Sequence, residues 1–312
     1  MRQHSPGKVR SLTLAGVGVA MAILIVGGSA WGWITLRQHR PAAQPPPAIG
    51  TSVPSPAPTD LAGPNAIIPA GRDRIRVPIL EYHYIRLNPN PADRLGFNLS
   101  VTPLDFGQQM DWLRSHGYHP VTMAQLRAYF AAGQPLPAKA LVLTFDDGTL
   151  DFYTTAWPIL RSHGFTAVSY VVSGFFGRER YLTEVEAEEL DQAGIEIASH
   201  TVDHVDLTRQ SAQGRQYQLQ ASKARLEQLL GHPVVDFCYP SGKFDATVKA
   251  TVQAAGYQTA TSEMPGLDHA WSDRFTWDRV RVNGGEKLPQ FIASLGKPEP
   301  WISASADHSG PG

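Results

Sequence analysis

One cysteine, Cys238, stands in a chain of 312 residues. A single thiol makes no disulfide within the chain and no structural zinc site built on clustered thiolates. Any bound metal must therefore rest on His, Asp or Glu. An excess of charge of either sign is also missing: 27 Lys and Arg face 28 Asp and Glu, for a formal net charge of −1. That leaves no basic field for a nucleic-acid partner and no acidic field for a cationic one. No internal repeat is visible. Between Ser11 and Leu36 charged residues disappear altogether.

A helix of about 20 apolar residues crosses a bilayer core of about 30 Å, so residues 11–36 are long enough to span one. Trp31 and Trp33 lie near one end of the run, where aromatic belts form. Arg2, Lys8 and Arg10 precede it, and Arg37 and Arg40 follow, so flanking charge orients it only weakly. The expectation is a single-pass signal anchor over residues 11–36. Residues 1–10 then lie in the cytoplasm and the rest outside, at the cell membrane. Cleavage near Gly27-Gly28-Ser29-Ala30 is the alternative, and it makes the protein secreted. Residues 37–74 read as a linker. Eight prolines between Pro41 and Pro64 favour an extended polyproline II stalk. At the other end, residues 299–312 read as a disordered tail.

Between these, residues 75–298 alternate strand and helix signals. Strands are expected at Val77–Tyr84, Ala140–Phe145, Thr166–Val172, Ile195–Ser199, Val234–Tyr239 and Tyr257–Thr261. Helices are expected at Thr102–His116, Met123–Ala132, Phe152–His163, Thr183–Ala193, Gln213–Leu230 and Ala246–Ala255. Near-continuous apolar strands separated by helices imply a mostly parallel α/β sheet covered on both faces. Six or seven such units suit a closed or nearly closed (β/α) barrel.

Two segments at strand exits carry chemistry. Asp146 and Asp147, in Thr144-Phe145-Asp146-Asp147-Gly148, end an apolar strand, where a carboxylate pair is costly unless paired or metal-bound. An Asp capping the next helix is the bland explanation. His200 and His204 follow the strand ending at Ser199. Histidines four apart share a face on a helical turn and can reach one metal, although two surface histidines have the same spacing. Two imidazoles and one carboxylate are a sound ligand set for a catalytic zinc with open positions.

Together these segments resemble the first two motifs of the polysaccharide deacetylases, the NodB-homology group of carbohydrate esterase family 4. The resemblance covers roughly residues 77–295. It implies a distorted (β/α) barrel of the polysaccharide deacetylase type, with Asp146 as catalytic base and Asp147, His200 and His204 as metal ligands. The family's third motif, Arg-x-Pro-x-Gly, reads Cys238-Tyr239-Pro240-Ser241-Gly242 here. The family holds the oxyanion with the backbone amide after the Pro, so the resemblance implies the Ser241 N–H as that donor. Cys238 stands where the family has the Arg that steadies the base, so Arg279 and Arg281 become candidates for that role. Cys238 itself reads as a small buried hydrophobe. The family's C-terminal Leu-x-His is absent, since no histidine lies between His269 and His308. Instead Pro78-Ile79-Leu80-Glu81-Tyr82-His83-Tyr84 resembles the opening strand of the circularly permuted poly-N-acetylglucosamine deacetylases, which implies His83 as general acid.

The resemblance implies a metal-dependent hydrolase that removes N-acetyl groups from an extracytoplasmic polysaccharide containing N-acetylglucosamine. Its cofactor would be a divalent metal, Zn²⁺ in the first instance, with Co²⁺ or Ni²⁺ as alternatives. Its partners would be the N-acetylated polysaccharide and, through the anchor, the membrane, around a monomeric catalytic domain. Two other readings share the site: an O-acetyl carbohydrate esterase and a catalytically silent glycan-binding module. Glu81 reads as structural, and Asp203 as exposed. The acidic run from Glu184 to Glu189 reads as a solvated helix face. Trp271, Trp277, Phe175 and Phe176 are candidates for sugar stacking or for packing.

Overall fold

The computed structural model describes residues 73–88, 90 and 92–296. The expected anchor and the tail lie outside these residues, as does nearly all of the linker. Among the described residues, no helix is long and apolar enough to cross a membrane.

Seven parallel strands form the centre: β1 Ile79–Tyr82, β2 Ala140–Phe145, β3 Val168–Val171, β4 Glu196–Ser199, β5 Asp236–Cys238, β6 Thr259–Pro265 and β7 Trp277–Arg281. Around the ring they run β1–β7–β6–β5–β4–β3–β2, and β2 pairs back onto β1, from Ile79↔Val142 to Tyr82↔Phe145. The sheet is therefore a closed barrel. Beside the short helix Arg94–Leu99, its helices are α1 Pro103–Ser115, α2 Met123–Ala132, α3 Trp157–His163, α4 Glu184–Gln192, α5 Ala212–Leu230, α6 Ala246–Ala254 and α7 Leu288–Ser294.

Local signals explain the helix boundaries. Thr102 caps α1 ahead of Pro103, and Thr122 and Thr183 form capping boxes with Gln125 and Glu186. Gly133 and Gly164 close α2 and α3 in left-handed conformation. Alternate residues of β2 enter different cores. Leu141 and Leu143 pack with Phe106, Met110 and Leu113 of α1 and Leu160 of α3. Ala140 and Val142 meet Val168, Ala198, Cys238 and Trp277 from the other strands, which fills the barrel. Each such side chain, fully buried, contributes about 1.5–3 kcal/mol.

Three expectations change. The opening strand stops at Tyr82, and Tyr84–Ile85 pairs instead with Ser100–Val101, so His83 falls at the break between two ladders. The helix expected from Phe152 begins as a π-helical turn over Phe152–Ala156. Pro158 has no N–H to return to residue 154, which widens the ladder there. Finally, β7 and α7 had no expected counterpart. The sequence Trp-Asp-Arg-Val-Arg carries three charges and does not read as a buried strand.

Candidate metal centre and active site

The site lies at the C-terminal mouth of the barrel, where the chain must turn sharply out of each strand. Among the described residues, six non-glycine positions have positive φ, and four are here: Asp147 (77°), Thr201 (69°), His204 (55°) and Ser241 (54°). Such strain persists only where the surroundings enforce it, and it clusters at functional sites. Gly148, at φ 69°, lies where an added Cβ would come 2.9 Å from the Val171 side chain, so this turn admits no larger residue.

His200 and His204 do converge, but not by the expected route. The segment is a loop, not a helical turn. Thr201 adopts left-handed backbone and its hydroxyl accepts the His204 N–H at 3.0 Å, which folds the second ring back onto the first. The ring centroids are 4.8 Å apart. Asp203 is exposed, as expected, and is bonded as well. Its carboxylate accepts from the Gln218 amide at 2.8 Å, while the Gln218 carbonyl accepts the N–H groups of Val202 and Asp203 at 3.0 Å each. Helix α5 thus braces the loop.

The Nε2 atoms of His200 and His204 lie 3.7 and 3.4 Å from Asp147 Oδ1. Two donors each about 2.1 Å from a tetrahedral ion sit roughly 3.4 Å apart, so the three groups fit a shared cation. The His200 Nδ1–H donates to the Cys238 carbonyl at 2.8 Å, which leaves Nε2 as the free lone pair. Burial pushes the His200 imidazole down to about 4, so it is neutral, as a ligand must be. The Tyr84 hydroxyl donates to Asp147 Oδ2 at 3.2 Å and orients that carboxylate. Burial, then the Asp147 charge, raises the Tyr84 phenol and keeps it a donor.

Asp146 is buried beside this cluster and is held by Arg279 in a two-pronged contact, at 2.8 Å to Oδ1 and 2.7 Å to Oδ2. Burial opposes its charge, but the guanidinium prevails and holds the carboxyl well below the usual range. Arg279 is fixed in turn by the Ser262 carbonyl at 2.8 Å, the Thr144 hydroxyl at 3.1 Å and Cys238 Sγ at 3.3 Å. Of the two arginines considered for the missing guanidinium, β7 supplies Arg279. The small thiol of Cys238, fully buried, leaves room for it.

His83 stands next to this pair, its Nδ1 3.8 Å from Glu81 Oε1. Glu81 is fully buried, 3.4 Å from Arg279 and 3.6 Å from Arg281. Burial raises its carboxyl. Glu81, His83 and Glu263 also offer clustered ligand atoms. Arg281, at 2.8 Å from Glu263, already occupies that cluster as counter-ion. Trp271 and Trp277 are buried against Phe130 and are core residues, while Phe175 carries the Arg178 guanidinium at 4.1 Å.

Residues 133–260 match the sequence model of the family described as Polysaccharide deacetylase. YxkH of Bacillus subtilis (strain 168), which carries the name of a polysaccharide deacetylase, is 29% identical over 220 residues, covering 70% of this chain and 76% of its own. The poly-beta-1,6-N-acetyl-D-glucosamine N-deacetylase of Escherichia coli (strain K12) is 39% identical over 119 residues. That match covers 33% of this chain but only 18% of the larger protein. Among solved structures, the Streptococcus pyogenes deacetylase PplD in complex with acetate superposes with a TM-score of 0.66 at 26% identity. The alignment covers 71% of this chain and 98% of that one. With the barrel and the mouth, these likenesses identify a polysaccharide deacetylase domain, of the NodB-homology group, within the chain.

Proposed function

We propose that this protein removes N-acetyl groups from a polysaccharide containing N-acetylglucosamine, outside the cytoplasm, using a divalent metal, with Zn²⁺ the first candidate. The observation that carries the reading is the convergence of Asp147, His200 and His204 beside an Asp146 locked by Arg279. Asp147, His200 and His204 would hold the ion. When bound, the ion supplies Lewis-acid polarisation of the acetyl carbonyl and lowers the pKa of water.

The chain's own groups do the rest. Asp146 stays ionised because Arg279 faces it, so it is free to accept a proton from the attacking water. The Ser241 N–H, in a turn held at positive φ, serves as donor to the tetrahedral oxyanion, a role worth roughly 3 kcal/mol. His83 hands a proton to the departing sugar nitrogen, which otherwise leaves as a poor anion. Acetate and a glucosamine unit result. Residues 11–36 would anchor the enzyme in the membrane, with residues 37–74 as its stalk.

The test is acetate release from poly-N-acetylglucosamine, chitin oligomers and peptidoglycan glycan strands, with and without chelator. Release that stops on chelation and returns with Zn²⁺, Co²⁺ or Ni²⁺ supports the reading. Absence of acetate from every glycan under metal-replete conditions contradicts it.

A further inference from the structure

Three arginines border the mouth and have no part in the scheme above. Arg86 comes from the segment after β1, and Arg178 and Arg180 come from the loop after β3. That loop is stitched to the residues that follow Asp147. The Leu150 N–H donates to the Arg180 carbonyl at 2.8 Å, and the Leu182 N–H donates to the Gly148 carbonyl at 3.0 Å. Thr149 and Tyr181 form an antiparallel bridge between the two segments. Within the loop, the Tyr181 N–H donates to the Arg178 carbonyl at 3.1 Å and the Gly177 N–H to the Leu182 carbonyl at 2.9 Å. Arg180 is held at φ 70°, the same left-handed strain as the ligand-bearing turns.

Aromatic rings prop two of the three guanidiniums. Arg86 lies 3.9 Å over Tyr84, whose hydroxyl donates to Asp147. Arg178 lies 4.1 Å over Phe175, which meets Tyr181 edge-on at 4.9 Å. Burial first, then the Asp147 charge, raises the Tyr181 phenol, while the charges of Arg180, Arg178 and Arg86 act against it. Among the described residues, none of the three arginines has a carboxylate at ion-pair distance, and the buried Arg86 Nε has no hydrogen-bond partner. The chain as a whole carries a net charge of −1, so this is a local concentration and not a general excess. A guanidinium parked on a ring keeps its edge free for a planar oxyanion.

We propose that Arg86, Arg178 and Arg180 form a subsite for an anionic group of the glycan, a carboxylate or phosphate carried next to the acetamido sugar, so that the substrate is an acidic polymer. This names a substrate class for the mouth and rests on its reading as a deacetylase site. The sugar bearing the acetyl group sits over Asp147, and its acidic neighbour reaches the loop after β3.

The experiment compares acetate release by the full chain from three glycans: a neutral N-acetylglucosamine oligomer, a muramic-acid-containing strand with a carboxylate, and an oligomer bearing a phosphodiester. Wild type is measured against R178Q/R180Q, two exposed positions whose change spares the core, and against R86Q. We expect kcat/KM on one of the acidic glycans to exceed that on the neutral one by about tenfold or more, through KM. The ratio should fall toward one in R178Q/R180Q, drop in R86Q, and shrink as salt rises from about 50 to about 500 mM. The glycan that is preferred tells carboxylate from phosphate. Equal kcat/KM on all three, or a preference that survives the variants, overturns the subsite and leaves the deacetylase reading standing. No acetate from any glycan by wild type overturns both.

Discussion

The barrel buries an arginine–carboxylate pair at each end, and the two ends use it differently. On the floor, Arg127 of α2 reaches Asp236 at the start of β5 through Nε at 3.0 and 3.1 Å and through a second nitrogen at 2.9 Å. Thr259 donates to the same carboxylate, and Glu196 accepts the Ala124 N–H at 3.0 Å. Both members of the Arg127–Asp236 pair are hydrogen-bonded there. At the mouth, Arg279 and Asp146 make the same two-pronged contact, but the neighbours are left open. Asp147, His200 and His204 face one another with donor atoms to spare, and both oxygens of Glu81 lack hydrogen bonds. The floor spends its pair on holding β5 to α2. The mouth keeps its pair poised beside the open cluster of Asp147, His200 and His204, at the end where barrel enzymes place their chemistry.

The largest effect should come from breaking the open cluster. Asp147→Ala should remove bound metal, measured by elemental analysis of the folded protein, and reduce acetate release by at least about a thousandfold. Asp146→Asn should keep metal and lose about 10²–10⁴ in kcat. On the floor, Arg127→Met leaves Asp236 buried without its partner. It should cost about 3–5 kcal/mol in denaturant unfolding, while kcat per folded molecule holds. Equal loss of turnover from both ends would erase the contrast.

Acid and base responses sharpen it further. The Asp146 carboxyl is lowered, against burial, by Arg279, so its charge persists well into acid. With Arg279→Gln, burial loses its main opponent, leaving only the weaker pull of His83 and His200, and the acid limb of kcat/KM should move to higher pH. Glu196 is the opposite case: burial first, then Asp236, raises its carboxyl well above the usual range. Its favourable contribution is therefore present at low pH and is lost as pH rises from the unfolded value, about 4.5, through the raised one. Glu196→Gln should gain in Tm relative to wild type as pH rises, with no change in acetate release. The smallest effect belongs to Thr183→Ala, which removes the α4 cap and should cost about 1 kcal/mol.

Much of this was legible in the sequence because it rests on local rules. Caps, closing glycines and the apolar run Ala140–Phe145 mark their elements almost to the residue. The doublet Asp146-Asp147 and the pair His200 and His204 were visible by their place after strands. What stayed hidden depends on tertiary contact. β7 is charged because its side chains serve as counter-ions to Asp146, Glu81 and Glu263, so its sequence lacks the apolar mark of a buried strand. The absence of an arginine at Cys238 was plain. That Arg279 fills the gap follows from the pairing of β6 with both β5 and β7, which no spacing encodes. The bend of the His200–His204 loop likewise comes from Thr201 and Gln218, not from helical periodicity.

The most direct measurement is anomalous scattering from crystals of the zinc-loaded protein, collected above and below the zinc edge. One peak should lie about 2.0–2.2 Å from a carboxylate oxygen of Asp147 and from Nε2 of His200 and His204. A peak seated instead among Glu81, His83 and Glu263, or no ordered zinc in the mouth at all, would contradict the account.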